Sequence, residues 1–112
     1  MKRANFKINP QEVWSAWVDY EDDPSQGKYR PVIVISVENE IARVLSVPLT
    51  SAKPRDEYDI EVFDWEYIPL EHISTARISK VLLIPISDFR KKIGKLTDDD
   101  WDNVIRLLSQ YG

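Results

Sequence analysis

The sequence contains no cysteine, which excludes disulfide bonds, zinc–thiolate sites and thiol catalysis. That composition fits a reducing cytoplasm, the expected location of the chain. A single histidine is present, His72 in the stretch LEHIS, and no metal-ligand spacing surrounds it. Glycine is scarce, 3 residues in all, and neither a Gly-rich phosphate loop nor a G-x-S-x-G element occurs. No apolar run approaches the roughly 20 residues that a membrane span needs. The cationic start MKRANFKINPQEV is not followed by the apolar segment of a secretory signal. The expectation is a chain that works without a metal or other cofactor and without a membrane partner.

With 112 residues, the chain suits a single domain over 1–112. A domain of this size buries roughly two-thirds of its unfolded surface and needs no metal or disulfide staple. The net charge of −4 argues against a broad basic surface for nucleic acid. The charges are nevertheless segregated. Acids gather in DYEDDP (Asp19 to Pro24) and DDDWD (Asp98 to Asp102). Cations gather in GKYR (Gly27 to Arg30), SAKPR (Ser51 to Arg55) and FRKKIGK (Phe89 to Lys95). One domain can therefore carry faces of opposite sign.

The aromatic and β-branched stretch EVWSAWVDY, Glu12 to Tyr20, predicts a first strand. EDDPSQGKY is punctuated as a loop by Pro24, Ser25 and Gly27. RPVIVISV, Arg30 to Val37, is apolar on both faces and predicts a central strand. Pro31 is tolerated there because the first strand position can do without its N–H. A tight turn near Glu38-Asn39-Glu40 then returns a third strand through Leu49, making a hairpin. After the polar loop SAKPRDE, the alternation in YDIEVF (Tyr58 to Phe63) predicts a half-buried strand. ARISKVLLIPI (Ala76 to Ile86) reads as one further strand. SDFRKKIG reads as one or two helical turns, with Ser87 as N-cap and Gly94 as stop. The last element is the clearest. Thr97 and Asp100 form a variant of the capping box, and three aspartates sit where the helix dipole favours anions. Trp101, Val104, Ile105 and Leu108 then make one apolar stripe, widened by Leu107, on a helix from about Asp98 to Gln110. The whole is mainly β (α+β): a small barrel or strongly curled sheet covered by a C-terminal helix.

Two loops carry the chemistry on offer. Lys28 and Arg30 bracket Tyr29 at the start of strand two, and Thr50, Ser51 and Lys53 follow strand three. In an antiparallel hairpin the start of one strand lies beside the end of the next, so Arg30 and Thr50 are expected at the same rim. A guanidinium fork and a hydroxyl facing one point can hold a phosphate, or stabilise the charge that develops on it during transfer. The competing reading is that Arg30 pairs with Asp19, Glu21 or Asp22, and that Thr50 only shapes its loop. Lone histidines such as His72 are more often structural.

The order VWSAWVDYEDDPSQGKYRPVIVIS, VLSVPLTS and IGKLTDDDWDNVIRLL resembles the PemK/MazF family, the toxins of type II toxin–antitoxin systems. The similarity spans about Val13 to Leu108. It rests on a Gln/Gly-containing turn leading into Arg-Pro and an apolar strand, then a Pro-Leu-Thr-Ser element, then a basic IGKL segment before the last helix. The resemblance implies an SH3-like barrel of five to seven strands with a C-terminal α-helix and short helical turns, assembled as a homodimer. It implies a metal-independent, sequence-specific endoribonuclease on single-stranded RNA, in which the ribose 2′-hydroxyl attacks the adjacent phosphate. It also implies a cognate antitoxin protein as partner, whose acidic, flexible tail would occupy the RNA groove. The family's catalytic Arg falls on Arg30 and its catalytic Thr on Thr50, with Ser51 beside it. Lys28, Tyr29, Ser51, Lys53 and Arg77 are the expected substrate-binding residues, with Lys80 as a further backbone contact. Where many members have Gly-Asp or Gly-Glu, this chain has Gln11-Glu12. Where some carry a proton-transferring Asp, the matching place here is Ala76. Glu12, Asp19 and His72 are the alternatives for a general base. Trp14, Trp17, Tyr29, Trp65 and Tyr67 can stack unpaired bases; core packing competes, and is favoured for Trp17 and Trp65. A rival function is a barrel of the same shape, catalytically weak or inactive, that binds RNA or a protein.

Overall fold

The computed structural model describes residues 7–111. It contains seven strands and one α-helix: β1 (Glu12–Asp19), β2 (Gly27–Glu38), β3 (Arg43–Thr50), β4 (Asp59–Val62), β5 (Ser74–Arg77), β6 (Leu82–Pro85), β7 (Phe89–Lys95) and α1 (Asp98–Tyr111). Every ladder is antiparallel. The strand order is β4-β5-β3-β2-β1-β7, with β6 also paired to β3. None of the described helices is long and apolar enough to cross a membrane.

β2 is central, as its apolar run predicts, and its two faces feed two cores. Val32 and Val34 join Trp14, Ala16, Val44, Ile84 and Phe89 in one cluster. Members of that cluster come from β1, β2, β3, β6 and β7, so the sheet curls around it. The curl does not close, because no ladder joins β6 to β7 among the described residues. Ile33 points the other way, into a cluster with Val13, Val47, Leu49, Ile78, Leu96 and Val104 that α1 covers. The β1–β7 register shifts between Val13/Trp14 and between Ser15/Ala16, leaving Ile93 and Arg90 as the extra residues of bulges on β7.

Several local expectations change. β2 begins at Gly27, not Arg30, because Lys28 pairs with Val18 and Gly27 with Asp19. Gly27 permits that approach: a Cβ there would sit 2.9 Å from Asp19 Cα and 3.0 Å from Trp17 Nε1. The predicted strand Ala76 to Ile86 is two strands separated by a 3-10 turn at Ile78–Lys80. Both pieces use the free edge of β3, β5 at Leu49 and Thr50 and β6 at Arg43 to Ser46. SDFRKKIG is not helical beyond a short 3-10 turn at Ile86–Asp88 that contains Ser87; the rest is β7, paired with β1. Gly94 is therefore no helix stop. Its missing Cβ makes room for the carbonyl of Ile68.

α1 starts where expected, and Thr97 Oγ1 accepts from Asp100 N at 3.4 Å. The Asp100 carboxylate does not complete the capping box. It is buried and accepts from Phe63 N at 3.0 Å and Asp64 N at 2.9 Å, tying the helix to the end of β4. Ile105 is 37% exposed and leaves the stripe, which runs through Trp101, Val104, Leu107 and Leu108. Gln11 adopts φ 78°, a region that glycine enters without strain. Its side-chain amide donates to Leu96 O at 2.8 Å and Asp98 Oδ1 at 2.9 Å, joining β1 to the start of α1.

Candidate functional site

The hairpin register brings Arg30 and Thr50 to one rim. The β2–β3 ladder ends with Val32 facing Pro48, and the same register carried two residues further puts Arg30 and Thr50 at one end of the hairpin. Both residues line a cavity of about 830 Å³ and a second of about 480 Å³, and with Leu49 they form the wall the two share. Arg30 Nε is buried and has no hydrogen-bond partner among the described residues. Of the acids that sequence offers as its partners, Asp19 accepts from Trp17 Nε1 at 3.0 Å and Glu21 pairs with Lys80 at 2.8 Å. No ion pair joins Asp22 to Arg30 among the described residues. Thr50 Oγ1 accepts from Ala52 N at 3.2 Å, so it does shape its loop. A hydroxyl that accepts there still has its hydrogen to donate.

The larger cavity draws cations from two strands. Lys28 and Arg30 come from β2, and Arg90, Lys91 and Lys92 from β7, with Tyr29, Ser51 and His72 among the other lining residues. β7 supplies its cations because it pairs with β1 as a strand. Gly94 lets the segment 68–72 lie against that strand, which sets Leu70 and His72 in the cavity wall. The His72 imidazole has no hydrogen bond to another described residue, and the backbone carbonyl of His72 accepts from Ser74 Oγ at 2.9 Å.

The three candidate bases separate in space. Glu12 is buried and does not line either cavity. Its carboxylate accepts from Trp14 Nε1 and Asn9 N, both at 2.9 Å, and meets Lys92 Nζ at 3.1 Å. Burial by itself disfavours the charged form, but donors from Trp14, Asn9 and Lys92 outweigh it and hold the pKa below its ordinary value. Glu12 is thus a structural anion. Asp19 lines only the smaller cavity, and His72 lines only the larger one beside Arg30 and Thr50.

The remaining candidates also sort. Lys28, Tyr29 and Ser51 line the larger cavity; Lys53 is exposed in the loop after β3 and lines neither. Arg77 lines the smaller cavity, with its Nε donating to the buried Asp59 carboxylate at 3.1 Å. Lys80 lies in the same cavity, where its contact with Glu21 lowers the pKa of that exposed acid. Ala76 is fully buried in the α1-side core, so a carboxylate at that position would face apolar side chains; the β5 residue at the cavity is Ser74. Trp14 packs edge-on against Phe89 in the core, while Trp17 is only partly buried and meets Tyr29 edge-on, against its expected core role. Trp65 packs on the α1-side core, as expected, and Tyr67 is 81% exposed. Arg90 and Lys92 were hidden from sequence reading because FRKKIG carries apolar residues four apart, a helical spacing.

Comparison with known proteins gives one consistent fold. The profile described as PemK-like, MazF-like toxin of type II toxin–antitoxin system matches residues 9–111. No curated protein matches the sequence. Among solved structures, a Mycobacterium tuberculosis toxin, MazF-mt6, aligns at 19% identity and a TM-score of 0.70 over 88% of this chain and 93% of its own. An endoribonuclease in complex with its cognate antitoxin, from a mycobacterial species, aligns at 13% identity and a TM-score of 0.74 over 93% of both chains. MazF from Deinococcus radiodurans aligns at 12% identity and a TM-score of 0.73 over 96% of this chain and 97% of its own.

Proposed function

The chain belongs to the PemK-like, MazF-like toxins of type II toxin–antitoxin systems, and we propose that it is a metal-independent endoribonuclease that cuts single-stranded RNA at short sequences. The observation that carries this reading is Arg30: a guanidinium whose buried Nε has no hydrogen-bond partner among the described residues, in a cation-rich cavity that Thr50 also lines. Burying a polar group without a partner is costly, so an arrangement of this kind is matched to an anion that arrives from outside.

In the proposed reaction the ribose 2′-hydroxyl attacks the adjacent phosphorus as the bond to the 5′-oxygen breaks. The products are a 2′,3′-cyclic phosphate and a 5′-hydroxyl. Arg30 and the Thr50 hydroxyl stabilise the negative charge that grows on the phosphoryl oxygens. His72 takes the 2′-hydroxyl proton, since it alone of the three candidate bases shares the larger cavity with both, and solvent water protonates the departing 5′-oxygen. Lys28 and Ser51 hold flanking parts of the strand. The chain acts as one domain over 1–112, in the cytoplasm, as a homodimer. A cognate antitoxin is the protein partner, a reading that the complex of the mycobacterial endoribonuclease with its own antitoxin supports, and an acidic antitoxin segment would suit the same cationic cavity.

The test is cleavage of a long single-stranded RNA in excess chelator. Cuts at a short recurring sequence that leave 2′,3′-cyclic ends, and that vanish when the residue 5′ to the cut is 2′-deoxy, are expected. Intact RNA after treatment with folded protein contradicts the proposal. It would favour the rival function, a binding module, which the burial of Ala76 at the place of a proton-transferring Asp also favours.

A further inference from the structure

Three aromatic or cationic side chains from three strands meet at the edge of the larger cavity. Trp17 of β1 packs edge-on against Tyr29 of β2, ring centroids 5.2 Å apart. The guanidinium carbon of Arg90, on β7, lies 4.7 Å from the centre of the Tyr29 ring. Trp17 is steadied by its indole N–H, which donates to Asp19 at 3.0 Å. β1 separates the other two strands, so Arg90 reaches over its neighbour to sit on the ring. Both Tyr29 and Arg90 are exposed and line the cavity that holds Arg30.

The manner of holding matters. A cation held by a carboxylate has most of its charge cancelled, as Arg77 is by Asp59 and Lys92 by Glu12. A ring face orients a guanidinium yet leaves its full charge and its five donors available. No salt bridge joins Arg90 to an acid among the described residues. The rotamer freedom that a long side chain loses on binding is already reduced when it rests on an aromatic face.

We propose that Arg90, seated on Tyr29, is a second phosphate-binding group of the site, taking the RNA phosphate next to the one that Arg30 faces. Tyr29 is then a positioning residue that acts through Arg90. The assignment rests on the RNA-cleaving reading of the site. Arg90 differs from Lys92, two residues on, in resting on a ring face and not on a carboxylate.

The test measures binding of a single-stranded 2′-O-methyl RNA oligonucleotide, which lacks the attacking hydroxyl and cannot be cut, across a range of salt concentrations. Arg90→Gln is expected to reduce the slope of log affinity against log salt by about 0.7, the value for one phosphate contact on a single strand. Tyr29→Leu is expected to weaken binding roughly two- to fivefold with the slope kept, while Tyr29→Phe, which keeps the ring, binds like wild type. The double variant Arg90→Gln/Tyr29→Leu should bind no more weakly than Arg90→Gln alone, because Tyr29 works through the guanidinium. An unchanged slope in Arg90→Gln overturns the assignment. Additive losses in the double variant overturn the positioning role of Tyr29. Wild-type protein that binds the oligonucleotide with the expected Arg90 dependence but leaves unmodified RNA intact removes the ribonuclease reading and upholds this one. Wild-type protein that does not bind overturns both.

Discussion

The two cavities that meet at Arg30 and Thr50 are both lined by cations, yet the cations are in different states. In the smaller one, Arg77 is bound to the buried Asp59 and Lys80 to Glu21, and Asp19 and Asp22 share the wall. In the larger one, no ion pair joins Lys28, Arg30, Arg90 or Lys91 to an acid among the described residues, Lys92 is tied to Glu12, and Glu71 is the single acid in the lining. A chain of net charge −4 can therefore present a strongly cationic cavity, because three acids, Asp19, Glu21 and Asp22, line the smaller cavity and one, Glu71, the larger. Charge that remains uncompensated, and not the number of basic residues, marks where an anion should bind.

The contrast can be broken at four points. The largest effect is expected at the shared wall. Thr50→Val should lower the cleavage rate by about 10² at saturating RNA, the loss typical of one hydrogen-bond donor to a developing oxyanion. Chemical unfolding should show its stability little changed. On the smaller-cavity side, Arg77→Gln should instead act on stability, because Asp59 is left buried with its backbone donor from Arg55 alone. A loss of about 3 kcal/mol in urea unfolding is expected.

Glu12→Gln is expected to cost about 2 kcal/mol, the worth of hydrogen bonds to a charged acceptor. It also has a pH signature. The folded pKa of Glu12 lies below its ordinary 4.5, so the unfolded chain takes up a proton more readily than the folded one. The carboxylate therefore stabilises the fold above pH 4.5 and loses that contribution as pH falls through the lowered folded value. Thermal unfolding of Glu12→Gln between pH 6 and pH 3 should show a shallower acid limb than wild type. The smallest effect belongs to Lys80→Gln. Its partner Glu21 is exposed, so the melting temperature should shift by about 2 °C or less, which differential scanning fluorimetry can bound.

Sequence reading recovered what depends on near neighbours. The hairpin of β2 and β3 follows from an apolar run, a turn and a second run, and its register alone sets Arg30 against Thr50. The cap and stripe of α1 are likewise local. Elements decided by distant partners were misread. Phe89 and Ile93 are spaced as on a helix, yet β1 offers an edge that makes the segment a strand. Residues 76–86 look like one strand, and the 3-10 turn at Ile78–Lys80 arises because β3 pairs with two separate pieces. Asp100 suits a capping box until the β4 turn presents two backbone N–H groups to it. The same logic governs the site. Arg30 and Thr50 were legible through one ladder, whereas the seat of Arg90 on Tyr29 spans three strands and has no trace in sequence spacing.

The most direct test of the account compares Arg30→Ala with wild type on a long single-stranded RNA in chelator at matched folded concentration. The account predicts metal-free cuts at a short sequence by wild type and a loss of about 10²–10³ in rate for the variant, with the melting temperature preserved. Cleavage that survives Arg30→Ala would contradict it, since the uncompensated guanidinium would then have no part in the chemistry.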